Sequence, residues 1–243
     1  MNEHMYTDLA DWWTLLSSVE EYVEEAALFK AALLDHALTR PRTLLELGAG
    51  GGNNAFYLKA DFEMTLVDLA EGMLRQSRKI NPELRHFQGD MRDVRLGEQF
   101  DAVFIHDAID YMTTRADLQR AMTTAYVHCR AGGIALFAPD TTTERFEPET
   151  SSGGTDAGRR GFRYLEWSWD PDPDDETTTT DYVYAIRDEQ GDVRVLHDRH
   201  VNGLFSREVW LATMAAVGFE PYGRIYEHSD LESGYELFIG LKR

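Results

Sequence analysis

Residues 44–52 read Leu-Leu-Glu-Leu-Gly-Ala-Gly-Gly-Gly, with Glu46, Gly48, Gly50 and Gly52 at alternate positions. Glycine lets a backbone approach a ligand closely, and a helix starting just after such a turn offers unpaired N–H donors. The segment therefore suits a nucleotide-like ligand. A dinucleotide fingerprint beginning at Gly48 needs its third glycine at position 53, which here is Asn53. That departure favours an adenosine ligand without pyrophosphate and leaves Glu46 to hold a cationic head group. The same glycines would also serve a plain strand-to-helix turn, so residues further along the chain must decide.

Three later stretches supply partners. Asp68 closes the apolar run Thr65-Leu66-Val67, 20 residues beyond Gly48, where a carboxylate can accept both hydroxyls of a ribose. In Gln88-Gly89-Asp90-Met91-Arg92, a short acid followed by an apolar side chain can bond an adenine amino group and stack on its ring. His106-Asp107-Ala108-Ile109-Asp110-Tyr111 follows the apolar Ala102–Ile105, a placement that suits substrate chemistry. A nucleophile that is protonated in water must shed a proton. Candidates for that task are His106, Asp107, Asp110, Tyr111 and His200, of which Asp107, Tyr111 and His200 are favoured.

His197 and His200 lie three apart on an expected strand, so they point to opposite faces and make a poor metal pair. A Mg²⁺ site on Asp107 and Asp140 is the disfavoured variant, and no metal is expected. Glu166, Trp167 and Trp169 would either line an aromatic acceptor pocket or pack in a core.

Alternating strand-like and helix-like segments must position these residues. Strands are expected at 43–47, 65–67, 84–88, 102–105 and 134–137, and helices at 53–60, 71–79, 114–130 and 206–217. Residues 8–38 carry apolar side chains at helical spacing, with a second start at Ser17-Ser18 before Glu20-Glu21. The rhythm breaks at 141–204, where a polar loop at Ser151–Thr155 precedes strands at 162–169, 177–187 and 193–201. Closing strands follow at 223–228 and 235–241. The expected fold is α/β: a Rossmann-like, doubly wound, mostly parallel sheet of seven strands, with an N-terminal helical cap and an inserted antiparallel sheet of three. Residues 1–243 are read as a single domain. It comprises a cap (1–40), a cofactor-binding core (41–140), a substrate cover (141–204) and a last helix with closing strands (205–243).

With 43 acidic and 24 basic residues the formal charge is −19, which disfavours nucleic acid or anionic lipid as a main partner. No apolar run approaches the length that crosses a bilayer, and the acidic N-terminus is unlike a secretory signal. The single cysteine, Cys129, fits a reducing, cytoplasmic location. A homodimer through the inserted sheet is also expected.

On Glu46–Gly52, Asp68, Gly89-Asp90-Met91, Phe100–Phe104, Gly132-Gly133, Leu204-Phe205-Ser206 and Ala216–Phe219, the chain resembles the class I S-adenosylmethionine-dependent methyltransferases. More weakly, it is similar to their small-molecule branch, aminosugar N,N-dimethyltransferases and relatives of glycine N-methyltransferase. That likeness lies in Tyr6/Trp12/Trp13, the inserted sheet, His197–His200 and Gly234–Gly240. Where sugar methyltransferases of this branch carry a histidine after the fourth strand, this chain carries Tyr111. The resemblance implies S-adenosylmethionine as cofactor and a small-molecule methyl acceptor at N or O. By the same resemblance Gly48, Gly50 and Gly52 would meet the methionine and ribose, Asp68 the ribose hydroxyls, and Asp90 and Met91 the adenine. His106 would lie at the ammonium group, with Tyr6 and Tyr22 closing over the methionine end. The alternatives are an NAD-dependent oxidoreductase or epimerase, and a binding protein for the same cofactor without chemistry.

Overall fold

Thr43–Leu47 (β1) buries Leu44, Leu45 and Leu47 completely, as a central strand covered on both faces must. The computed structural model describes residues 4–229 and 231–243. Helices Trp13–Leu16 (α1) and Val23–His36 (α2) precede β1. Asn53–Leu58 (α3), Glu63–Asp68 (β2), Glu71–Ile80 (α4), Arg85–Gln88 (β3), Phe100–Ile105 (β4), Arg115–His128 (α5) and Cys129–Phe137 (β5) follow. After an inserted sheet of β6 to β10, the chain ends with Arg207–Val217 (α6), Glu220–His228 (β11) and Leu231–Leu241 (β12).

The main sheet has seven strands in the order β11-β12-β5-β4-β1-β2-β3. Strands β1 to β5 pair in parallel, whereas β12 runs antiparallel to both β5 and β11. The order reverses between β1 and β4, and ligands of such sheets bind at the carboxyl ends beside that switch. Strand alternation divides the core. Leu45, Leu47, Val67, Val103 and Ile105 pack with α5 and α6, while Leu44, Leu66, Phe104 and Leu136 pack with α2 and α3. Glu46 falls on the α2/α3 face by the same alternation.

The N-terminal helical segment is more broken than its periodicity predicts. A short 3₁₀ turn at His4–Tyr6 precedes it, and others at Ala10–Trp12 and Val19–Tyr22 interrupt it. Ser18 opens the last of these in a capping box, its N–H donating to Glu21 Oε2 at 3.2 Å. The breaks allow Met5, Leu9, Trp12 and Leu15 to pack against Phe162, Tyr184 and Ile186 of the inserted sheet.

That sheet contains five strands rather than the expected three: Glu149–Gly153 (β6), Asp156–Ala157 (β7), Arg160–Trp169 (β8), Thr177–Arg187 (β9) and Val193–Gly203 (β10). Its order is β10-β9-β8-β6, with β7 also on β8, and its pairs are antiparallel. Ser151-Ser152-Gly153 belongs to β6, not to a loop. Its residues have little strand preference, and the backbone ladder to β8 decides their conformation. Among the described residues no helix is long and apolar enough to cross a membrane.

Candidate active site

The glycine turn leaves β1 with Gly48 at φ +77°, a left-handed conformation that side chains resist. A Cβ there would also overlap Ala108 and the Met91 methyl. Asp68, at the end of β2, pins the turn: Oδ2 accepts the Gly50 N–H at 2.7 Å and Oδ1 the Ala70 N–H at 2.8 Å. Burial raises the Asp68 pKa, against the pull of those two donors.

One cavity opens at the carboxyl ends of β1, β2 and β4. It collects the expected Tyr6, Tyr22, Glu46, Gly48, Gly50, Asp68, Asp90, Met91, His106, Asp107 and Tyr111. Two expected residues are not on its wall. Gly52 turns back onto α4, where a Cβ would overlap Ser77 Oγ and Asn81 Nδ2, and Gly51 lines the cavity in its place. His200 lies behind Tyr111, its Nδ1 2.7 Å from the Tyr111 hydroxyl. Trp167 and Trp169 do not line the site either: Trp167 is 53% exposed and stacks on Trp169, on the outer face of the inserted sheet. Glu166, on the opposite face of β8, accepts from the Tyr182 hydroxyl at 2.9 Å.

Sequence reasoning passed over Trp13, Asn53, Asn54, Met73 and Met112, all of which line the cavity. Trp13 had a signal in the paired tryptophans. The others read as ordinary helix and core residues. The cavity and its open mouth together contain about 1190 Å³ of space free of protein atoms, solvent outside the wall included.

Its electrostatics are dominated by carboxylates. Burial pushes Glu46 up to about 8, and its Oε2 has no hydrogen-bond partner. An orphaned buried carboxyl is what a cationic head group needs, so the site fits the cofactor that the resemblance implies. His106 Nε2 lies 3.0 Å from the Tyr235 hydroxyl, and Nδ1 lies 3.3 Å from Asn54 Nδ2. Burial opposes its charge, but Asp107, Glu25, Asp140 and Glu46 outweigh it and raise the pKa. Asp90 is held ionised by Arg92, whose Nη2 donates to Oδ2 at 2.6 Å. Burial and Asp107 raise Asp140 to about 7, and burial with Asp140 raises Asp110. Among the described residues no group of three His, Cys, Asp or Glu side chains is placed to hold a metal ion.

On the cavity wall the Tyr6 and Tyr111 hydroxyls meet at 2.8 Å. This join brings the N-terminal segment against the stretch that follows β4.

Residues 44–133 match a family described as a methyltransferase domain. A curated relative is dTDP-3-amino-3,4,6-trideoxy-alpha-D-glucopyranose N,N-dimethyltransferase of Streptomyces venezuelae. It is 28% identical over 241 residues, covering 96% of this chain and 98% of the relative. Among solved structures, the sugar N-methyltransferase KedS8 from Streptoalloteichus sp ATCC 53650 superimposes with a TM-score of 0.80. It is 24% identical, with 97% of this chain and 92% of that one covered. CalS10, an amino pentose methyltransferase from Micromonospora echinaspora solved with S-adenosylmethionine bound, has a TM-score of 0.72. It is 24% identical, covering 93% of this chain and 92% of that one. The sheet order, the cavity at its switch point and the match over residues 44–133 together make this chain an S-adenosylmethionine-dependent methyltransferase.

Proposed function

We propose that the chain methylates the amine of a small aminosugar-type acceptor. The observation that carries this reading is one continuous cavity lined by Glu46, Asp68, Asp107, Tyr111 and Tyr6. A strongly acidic lining suits a cationic amine, and the relative from Streptomyces venezuelae is named for an aminosugar.

In this reading Asp68 takes the ribose hydroxyls, and Asp90 with Met91 takes the adenine. Glu46 and His106 take the amino-acid end, and Tyr6 and Tyr22 close over it. Gly48 and Gly50 let the backbone approach. When bound, S-adenosylmethionine supplies a methyl group already activated on a positively charged sulfur. The chain's own work is therefore mainly alignment, worth up to roughly 7–11 kcal/mol in favourable cases. Tyr6, Trp13 and Tyr22 of the N-terminal segment, which line the cavity, shield the transfer from water. Asp107 and Tyr111 stand at the acceptor, with His200 behind Tyr111 as the proton's next stop.

The same proposal includes a single domain over residues 1–243, a cytoplasmic location and a homodimer. The dimer would use the outer face of the inserted sheet, where Leu165 is 44% and Val195 66% exposed beside Trp167.

Thermal melting with S-adenosylhomocysteine and with NAD tests the cofactor end: stabilisation by S-adenosylhomocysteine alone is expected, and by NAD alone would overturn it. Mass spectrometry with dTDP-3-amino-3,4,6-trideoxyglucose and other amino sugars tests the acceptor. A gain of one or two methyl groups is expected, and methylation of hydroxyl acceptors only would refute the amine.

A further inference from the structure

Behind the cavity wall, polar groups continue in a line that methyl alignment alone does not require. The Tyr6 hydroxyl meets that of Tyr111 at 2.8 Å, and Tyr111 meets His200 Nδ1 at 2.7 Å. Among the described residues His200 Nε2 makes no hydrogen bond, and it lies 3.4 Å from Asp198 Oδ2, which accepts the Met5 N–H at 3.4 Å. His200 is 4% exposed and Asp198 7%. Burial raises the pKa of both Tyr6 and Tyr111, so both stay neutral phenols. A neutral Tyr111 can donate to Nδ1 when that nitrogen is bare, and in that tautomer the ring proton sits on Nε2, on the side of Asp198.

In that tautomer Tyr111 keeps an oxygen lone pair for a group in the cavity while its own proton is directed at a base. We propose that Tyr111, His200 and Asp198 form a proton relay that takes up the proton shed by the acceptor amine. The proposal rests on the amine reading above and deepens it. In the step, an N–H bond of the protonated, ammonium form of the acceptor breaks and an O–H bond forms on Tyr111. The former Tyr111 proton passes to Nδ1 of His200. The amine nitrogen keeps the electron pair with which it attacks the methyl group. His200 becomes an imidazolium beside the Asp198 carboxylate and later gives its proton to water. Tyr111 is the catalytic residue of the relay, while His200 and Asp198 act through it, Asp198 as a positioning residue that fixes the ring.

The groups facing His200 come from four elements: Tyr6 from the first turn, Tyr111 after β4, Tyr182 on β9 with its ring centroid at 4.8 Å, and Asp198 on β10 itself. Asp107 lies beyond the first two and Glu166 beyond Tyr182.

Single-turnover methylation of dTDP-3-amino-3,4,6-trideoxyglucose across a pH series tests the relay. His200→Gln keeps an acceptor for Tyr111 but cannot take a proton, so a loss of about 100-fold is expected at neutral pH. The loss should shrink as pH rises, because free-base amine then accumulates unaided. Asp198→Asn should lose about tenfold with the same pH trend, and Asp198→Glu should recover part of it. S-adenosylhomocysteine affinity should stay within about twofold in each. An unchanged rate in His200→Gln, or a loss equal at every pH, would overturn the relay. Nitrogen-15 NMR of histidine-labelled protein needs no acceptor: His200 is expected protonated on Nε2 alone, and a proton on Nδ1 would overturn the relay. If the parent methylates no amino sugar, the amine reading falls, and the tautomer alone decides the relay.

Discussion

The indole of Trp13 fills the space that a Cβ on Gly51 would occupy, so the N-terminal segment and the glycine turn form one wall of the cavity. Gly51 cannot gain a side chain without moving Trp13. Trp13 is held there because its neighbours Trp12 and Leu15 pack against the inserted sheet. The cap, the turn and the cover thus meet at a single contact.

Gly51→Ala tests that contact. The new methyl group must displace a rigid indole, at a cost of about 1–3 kcal/mol. We expect a lower melting temperature and at least about tenfold weaker S-adenosylhomocysteine binding by calorimetry, a loss of the kind that displacing one wall of a fitted site brings. Parent-like binding would show that Trp13 does not bear on the cofactor.

Glu46 ties stability to pH. Its carboxyl is pushed by burial to about 8 from an ordinary 4.5, so the folded chain holds a proton that the unfolded chain has released between those values. Its stabilising contribution is complete below about 4.5 and is lost as pH rises towards about 8. Glu46→Gln should therefore flatten the melting temperature across this window. Cofactor binding to the parent at neutral pH should release a proton, read from calorimetry in buffers of different ionisation heat. The variant should release less.

Asp68 has two tasks, since its oxygens already accept the Gly50 and Ala70 N–H groups. Asp68→Ala leaves those buried donors unsatisfied, at about 1–3 kcal/mol, besides removing the ribose partner. We expect a measurable drop in melting temperature together with a loss of cofactor affinity of about 100-fold. Loss of stability with intact affinity would leave Asp68 as a turn clamp only.

The outer face of the inserted sheet predicts association. Leu165→Glu with Trp167→Glu should leave folding and cofactor binding unchanged and convert a dimer to a monomer in sedimentation velocity. A parent that sediments as a monomer at micromolar concentration would refute the dimer.

Much of this architecture is local and therefore legible in the chain. Strand β1 ends at Leu47 as its apolar run does, and the glycines, Asp68, Asp90 and His106 stand at strand ends because period-two burial and turn chemistry place them there. Alternation along β10 also separates His197 from His200, the first exposed and bonded to Asp181, the second buried. Long-range packing decided the rest. Residues of β6 carry little strand preference of their own and gain it from the ladder to β8. Gly52 and Gly51 exchange their expected places because α4 and Trp13, far away in sequence, compete for the two sides of the turn. Tyr6 reaches Tyr111 across 105 positions, and Tyr111 reaches His200 across 89, only because three apolar clusters fold the ends of the chain onto one cavity. Local pattern thus determined by itself which residues stand at the strand ends, while the join of Tyr6, Tyr111 and His200 exists only as a meeting of distant segments.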